Sequence, residues 1–329
     1  MTSADTSQIR VLAVVGPTAV GKTVIAEELA VRLGAEIVSA DAMQVYRGMD
    51  IGTAKPPPAE RRVAYHCIDI AEAGEPFSAA LFQRAAREAI GDIARRGHLP
   101  IVAGGTGLYV RSALDAWEFP AGEQTANPVR ARYEAVATAQ GAQALHSQLE
   151  QRDPSSAALI HPNNVRRTVR ALEMLDDGVS YASQHAGFSA REGVYDARFL
   201  GLTMEREALY ERIDARVDGM VAGGLLGEVE GLLAAGLRDA ATSAQAIGYK
   251  ELVPVIEQGA DLGKAVVAVK QATRRYAKRQ LTWFRADPRV VWLDVGNLSP
   301  EHAADAALDA LDWSARRDGG APQSYDRPG

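Results

Sequence analysis

The chain has 329 residues, with 36 Lys and Arg against 42 Asp and Glu, and a formal net charge of −6. That length allows one large domain with an insertion or two domains, while 47% apolar and 24% charged residues exclude a disordered or fibrous protein. The single cysteine, Cys67, excludes a disulfide framework or a Cys-rich zinc site and indicates a reducing compartment, and the acidic balance confines any nucleic-acid contact to local basic patches.

The opening MTSADTSQIR is short and polar, and no apolar run approaches the ~18 residues of a membrane span, so a cytoplasmic protein without membrane contact is expected. Residues 11–15 are continuously apolar and β-branched, the pattern of a strand buried on both faces of a parallel sheet. A helix follows, with Val24, Ile25, Leu29 and Leu33 at near-helical spacing and Gly34 as its C-cap. Short strands recur at 36–39 and 99–103, and between them 77–96 reads as a helix that Ser78 can cap. The alternation specifies a parallel, doubly wound α/β sheet. Strand character then disappears from 117 to 192, where helical patterns are broken at Asn127-Pro128, Asp153-Pro154 and His161-Pro162, and returns at 198–202 and 290–295. The expected organisation is a first core segment (8–116), a helical insertion (117–196), a second core segment (197–313) and a disordered tail (314–329) rich in Gly, Pro and charge.

GPTAVGKT, Gly16 to Thr23, matches G-x-x-x-x-G-K-[ST] between a strand and a helix. Glycines at 16 and 21 let backbone N–H groups converge on phosphate oxygens, the helix N-terminus adds its dipole, Lys22 neutralises charge and the Thr23 hydroxyl can hold magnesium. Hydrolytic loops of this kind place an acid at the end of another core strand. Here LPIVA runs into Gly104-Gly105-Thr106-Gly107 without one, whereas the strand at 36–39 runs into Asp41. Asp41 can be a magnesium ligand, a general base or a helix-capping residue, and spacing alone does not choose. GGTGLY (104–109) suits either close approach of a ligand or a structural turn. The stretch 270–285, KQATRRYAKRQLTWFR, carries six basic and no acidic residues with Tyr276, Trp283 and Phe284 interleaved, which suits RNA or a solvated helix face with its aromatics in the core. Arg212 and Arg216 share a helix face, so one can reach phosphates or pair with Glu211 or Asp214.

In this order, GPTAVGKT, Ser39-Ala40-Asp41 running on to Gln44-Val45-Tyr46, GMDIGTAKP (48–56), GGTGLY, HPNNVRRTVRALE (161–173), IGYKE (247–251) and AKRQLTWFR (277–285) resemble the blocks of bacterial tRNA dimethylallyltransferases across nearly the whole chain. The resemblance implies a P-loop NTPase-like parallel sheet core flanked by helices, with an all-helical insertion. It implies transfer of a dimethylallyl group from dimethylallyl diphosphate to the exocyclic N6 amine of the adenine 3′-adjacent to the anticodon, with Mg2+ required. By the same resemblance, Gly16, Pro17, Thr18, Ala19, Val20, Gly21, Lys22 and Thr23 hold the diphosphate, Thr23 the metal, Arg216 acts as a clamp and Asp41 as the base. Thr106 and Arg130 correspond to positions near the channel where adenine and donor meet. Contacts to tRNA fall on Asp41, Ala42, Met43 and Gln44; on Arg166, Arg167, Thr168, Val169 and Arg170; on Gln245, Ala246, Ile247, Gly248, Tyr249 and Lys250; and on Lys278, Arg279, Gln280, Leu281, Thr282, Trp283, Phe284 and Arg285. Ala42 stands where the family more often has Ser, and the Cys/His finger of eukaryotic relatives is absent.

The chemistry fits the residues: a diphosphate leaving group needs charge neutralisation but no activated water, which accounts for a phosphate loop without a hydrolytic acid. A monomer is expected. Two rivals are an ATP-using small-molecule kinase, which leaves the basic aromatic stretch without a role, and a nucleotide switch or RNA-binding module that changes no bond.

Overall fold

The computed structural model describes residues 9–119, 128–239 and 242–313. In chain order the elements are β1 (Arg10–Val15), α1 (Lys22–Leu33), β2 (Ala35–Ser39), β3 (Tyr65–His66), α2 (Ala79–Arg95), β4 (Leu99–Gly104) and α3 (Gly107–Leu114). Next come α4 (Pro128–Arg152), α5 (Pro154–Ala158), α6 (Val165–Asp176) and α7 (Tyr181–Ser189), then β5 (Asp196–Thr203), α8 (Arg206–Ala222), α9 (Leu225–Ala234), α10 (Val253–Gln258), α11 (Leu262–Arg285), β6 (Val290–Asp294) and α12 (Pro300–Ala310).

The six strands form one parallel sheet in the order β3-β2-β4-β1-β5-β6. Alternation along β1 explains the two layers around it. Val11, Ala13 and Val15 point into a core shared with Phe82, Ile90 and Ile93 of α2 and Val110 of α3, while Leu12 and Val14 point into one shared with Leu29 of α1, Ile213 of α8 and Ala303 of α12. The expected helix boundaries have physical causes here. Gly34 adopts a left-handed φ of 62° and donates its N–H to Ala30 O, closing α1, and the Ser78 hydroxyl accepts from Leu81 N (3.2 Å) at the start of α2. Cys67 is buried, and burial pushes its thiol up to about 12.

This sheet unit spans Met1–Leu114 and Val194–Gly329, and Asp115–Gly193 forms a second compact unit. The second unit is helical around Tyr133, Leu145, Leu149, Ile160 and Leu172. Of its breakers Asp153 becomes a cap, accepting from Ser156 N, and past His161-Pro162 the next helix is opened by Asn164, which accepts from Arg167 N. Glu173, 1% exposed, receives two hydrogen bonds from Arg130 (2.8 and 3.1 Å). The break expected at Asn127 and the tail expected at 314–329 lie outside the described residues.

Candidate active site

The carboxyl ends of β1, β2 and β4 converge, and each releases a loop into the same crevice, where open α/β sheets place chemistry. After β1, Gly16 has φ 150° and a Cβ there would meet Leu202 O of β5 at 2.6 Å, so no larger residue fits under the loop. At the far end Gly21 takes φ 103° and α1 begins at Lys22, leaving N–H groups of the first helical turn directed at the crevice. Lys22 as a residue is half-buried, but its ammonium is turned inward onto Pro17 O (2.7 Å). Burial and then the neighbouring Arg216 push its pKa down to about 7, opposed by Asp41. Burial likewise disfavours the charged form of Arg216, whose guanidinium donates to Thr53 O at 3.3 Å. Two buried cations side by side, each tied to a neutral carbonyl, are the electrostatic signature of a site completed by an anion.

Asp41, just beyond β2, has one oxygen committed. Its Oδ1 accepts from Met43 N (2.9 Å) and Gln44 N (3.4 Å), whereas Oδ2 accepts no hydrogen bond among the described residues. No helix begins here, so the helix-capping reading is corrected: Oδ1 ties down the turn at 42–45, and Oδ2 is left for a chemical role. Gln44 is held by Ser39 Oγ (2.9 Å) and Thr53 O (3.3 Å), and Thr106 Oγ1 accepts from Ala42 N (3.0 Å).

Two adjoining cavities meet at Asp41. The first, about 70 Å³, lies over Lys22 and Thr23; the second, about 300 Å³, lies beyond it, and Thr18, Asp41, Thr53, Arg216 and Tyr276 line both. Ile213, Val217 and Met220 of α8 and Val269 of α11 make the second cavity largely apolar, and Met43 with 245–250 closes it. Tyr276 faces inward, its phenol pushed up to about 12 by burial and by Asp41.

The glycines after β4 serve close packing at the wall of the first cavity. Gly104 lines the first cavity, and its missing Cβ makes room for the Ala40 backbone. Gly105 and Gly107 make room for side chains of α11: a Cβ on the first would overlap Gln280 and on the second Trp283.

The structure divides the residues expected to touch RNA. On α11, Lys278, Arg279, Thr282, Trp283 and Arg285 are exposed, Trp283 at 44%. Gln280 and Phe284 are buried on the helix stripe that packs inward, so the RNA contact expected of their side chains is corrected to an interior position, while Leu281 is half-buried. Lys270 pairs with Asp218 at 2.6 Å and Arg274 with Asp214, which joins α11 to α8 and leaves Arg216 free of Asp214. Residues 245–250 all line the second cavity; of these Ala246 and Tyr249 are buried, with Tyr249 Oη donating to Glu228 (2.6 Å). On α6, Arg166 and Arg167 are exposed, but Thr168 and Val169 face the core of the second unit, and surface contact through their side chains is ruled out by burial. Arg130 and Arg170 are drawn to Glu173, so Arg130 stands in an ion pair rather than as an open cation.

Sequence reasoning missed the second cavity. Its walls come from helix stripes (213, 217 and 220; 269, 273 and 276) whose spacing is that of any amphipathic helix. It also missed Glu228, which accepts from the backbone N–H groups of Asp50, Ile51 and Gly52 and so fixes the loop that carries Thr53.

With no acid at the end of β4 and an apolar chamber opening past the phosphate loop, the crevice has the layout of a P-loop-type α/β transferase rather than a hydrolase. A family model described as IPP transferase matches residues 44–287, and one described as isopentenyl transferase matches 9–65. The chain is 49% identical over 288 residues to a tRNA dimethylallyltransferase of Geobacillus kaustophilus, covering 87% of this chain and 90% of that one. It is 45% identical over 318 residues to a tRNA dimethylallyltransferase of Acidothermus cellulolyticus, with 96% and 98% covered. A solved tRNA isopentenylpyrophosphate transferase of Bacillus halodurans matches at 43% identity and TM-score 0.67, covering 94% of this chain and 98% of that one. A eukaryotic dimethylallyltransferase acting on tRNA matches at 29% and 0.78, with 92% and 78% covered. The chain belongs to the IPP transferase family.

Proposed function

We propose that this chain transfers the dimethylallyl group of dimethylallyl diphosphate to the exocyclic N6 amine of the adenine 3′-adjacent to the anticodon in tRNA, and that Asp41, Thr18 and Arg216 are its reacting-centre residues. The observation that carries this reading is the junction of the two cavities: Lys22 lies on one side, an apolar chamber on the other, and Arg216 and the unbonded Asp41 oxygen at the boundary between them. The diphosphate sits on the loop amides, with Lys22 and Arg216 neutralising it. As the C–O bond breaks, its electron pair leaves with the diphosphate; N6 forms the new C–N bond and its proton passes to Asp41 Oδ2. The adenine, swung out of the anticodon-loop stack, shares the second cavity with the prenyl group, and the exposed basic face of α11 holds the RNA backbone.

Magnesium suits the donor set in a particular way. No cluster of three or more His, Cys, Asp or Glu side chains exists among the described residues to cage a cation. The Thr23 hydroxyl at the wall of the first cavity would hold a magnesium ion brought in with the diphosphate. When bound, it would offset the charge that develops on the leaving diphosphate. A single chain holds every group named, which supports a monomer, and no helix among the described residues is long and apolar enough to cross a membrane; a cytoplasmic site of action accords with a tRNA substrate.

Incubation with unmodified tRNA and dimethylallyl diphosphate, followed by digestion to nucleosides and mass analysis, should show adenosine carrying one added C5H8. Unmodified adenosine throughout would reject the proposed reaction.

A further inference from the structure

Gln280 sits in the middle of the most basic stretch of the chain, where a polar residue is naturally read as part of an RNA-facing surface. It is only 5% exposed. Its carboxamide bridges two loops distant in sequence: Oε1 accepts from Thr18 N at 2.8 Å, and Nε2 donates to Gly105 O at 3.0 Å. A buried side-chain amide that satisfies one backbone donor and one backbone acceptor with good geometry fixes both segments relative to its own helix. Gly105 has no Cβ at the spot where that amide enters.

The position along α11 gives the bridge its meaning. Tyr276, Gln280 and Trp283 recur at i, i+4 and i+7 and line one stripe, reaching the cavity junction, the phosphate loop and Gly107 in turn. Lys278 is exposed on another face, and Arg279, also exposed, lays its guanidinium over the Tyr276 ring (5.6 Å to the centroid) at the wall of the second cavity. Thr18 lines both cavities, so whatever sets its backbone sets where the phosphate site meets the acceptor chamber. Its N–H is engaged by Gln280, while the N–H groups at the start of α1 remain for the anion.

We propose that Gln280 is a positioning residue for the transfer: through Thr18 and Gly105 it locks the phosphate loop and the glycine turn to the helix whose outer face takes the RNA. The donor is thereby aligned with an adenine delivered from that face. The inference rests on the transferase reading above, and it assigns Gln280 no contact with RNA.

Gln280→Met keeps the length and volume of the side chain but removes both hydrogen bonds; Gln280→Asn keeps the amide but is too short to span them. Steady-state kinetics with saturating RNA should show kcat lowered by up to about 100-fold in both variants, the scale of an ångström-sized misplacement at a reacting centre. The Kd for an unmodified anticodon stem-loop, measured in the absence of donor, should change less than about 2-fold, and thermal unfolding should still be cooperative. A raised RNA Kd with kcat intact would make Gln280 an RNA contact and overturn the proposal. Loss of kcat that recovers fully on cooling, in step with a lowered Tm, would reduce it to a fold-stabilising residue and equally overturn it. Should Gln280→Met not fold, the Asn variant alone decides by the same readouts. Wild-type enzyme assayed beside them separates the two levels: no product from wild type rejects the reaction itself, whereas an active wild type with equally active variants rejects only the role of Gln280.

Discussion

Lys22 offers the sharpest quantitative test of the phosphate site. Its pKa is pushed down to about 7 because burial and Arg216 oppose the ammonium more than Asp41 supports it. A diphosphate brought beside it reverses that balance, so binding must be accompanied by proton uptake wherever the empty-site lysine is neutral. With a pKa of about 7, roughly nine in ten molecules carry a neutral Lys22 at pH 8, and binding should take up about 0.9 proton there, falling to about 0.1 at pH 6. Calorimetric titration with magnesium diphosphate in buffers of different ionisation enthalpy measures this number directly. Because diphosphate titrates as well, Lys22→Arg is the reference: it keeps a cation that does not exchange its proton, so the wild-type minus variant difference belongs to Lys22. A difference below about 0.2 proton at pH 8 would show that Lys22 is charged in the empty site and would refute the electrostatic account. A linked effect follows on stability. Between about 7 and the ordinary value of 10.5 the unfolded lysine holds its proton and the folded one does not, so the stability of the empty protein should rise with pH across that window and the rise should vanish when diphosphate is bound.

Asp41→Asn preserves an acceptor for Met43 N and should keep RNA and diphosphate affinity within a few fold while lowering kcat by about 100- to 10,000-fold; turnover near wild type would exclude Asp41 as the base. Lys278→Ala and Arg279→Ala should each weaken RNA binding and reduce the slope of log Kd against log salt by about 1, and unchanged slopes would remove this face of α11 from the interface. Gly107→Ala should cost about 1–3 kcal/mol in chemical denaturation through overlap with Trp283. Adding Trp283→Ala should recover most of that loss, and a purely additive double variant would show that the two do not touch.

The parts of the site that lie within one run of sequence were legible from it. The phosphate loop is such a run, because a strand, two glycines, Lys22 and Thr23 do their work within eight positions. Asp41 was visible as the acid at a strand end, but its division into a turn-bound oxygen and an unbonded one depends on the turn formed by Met43 and Gln44. GGTG could not be resolved between ligand approach and tight turn, because a glycine does not reveal which distant atom occupies the space of its absent Cβ. Here those atoms come from Ala40, Gln280 and Trp283. The two-residue β3 is too short to display any period, and its pairing depends on β2 beside it. Thr168 and Val169 show the opposite error: inside an Arg-rich motif they looked like surface, yet the 3.6-residue turn of α6 carries them inward.

The way the helical second unit is joined to the chain has a further consequence. Leu114 O accepts from Val194 N, and Asp115 bridges Gly193 in antiparallel fashion, so the chain departs and returns at a single point. For the sheet unit, Leu114 and Val194 are already neighbours, and a short turn could link them without stretching a strand or opening a helix. The insertion is thus a cassette: a single graft point at which the helical unit can be exchanged, shortened or removed while the phosphate loop, Asp41 and Gln280 keep their places.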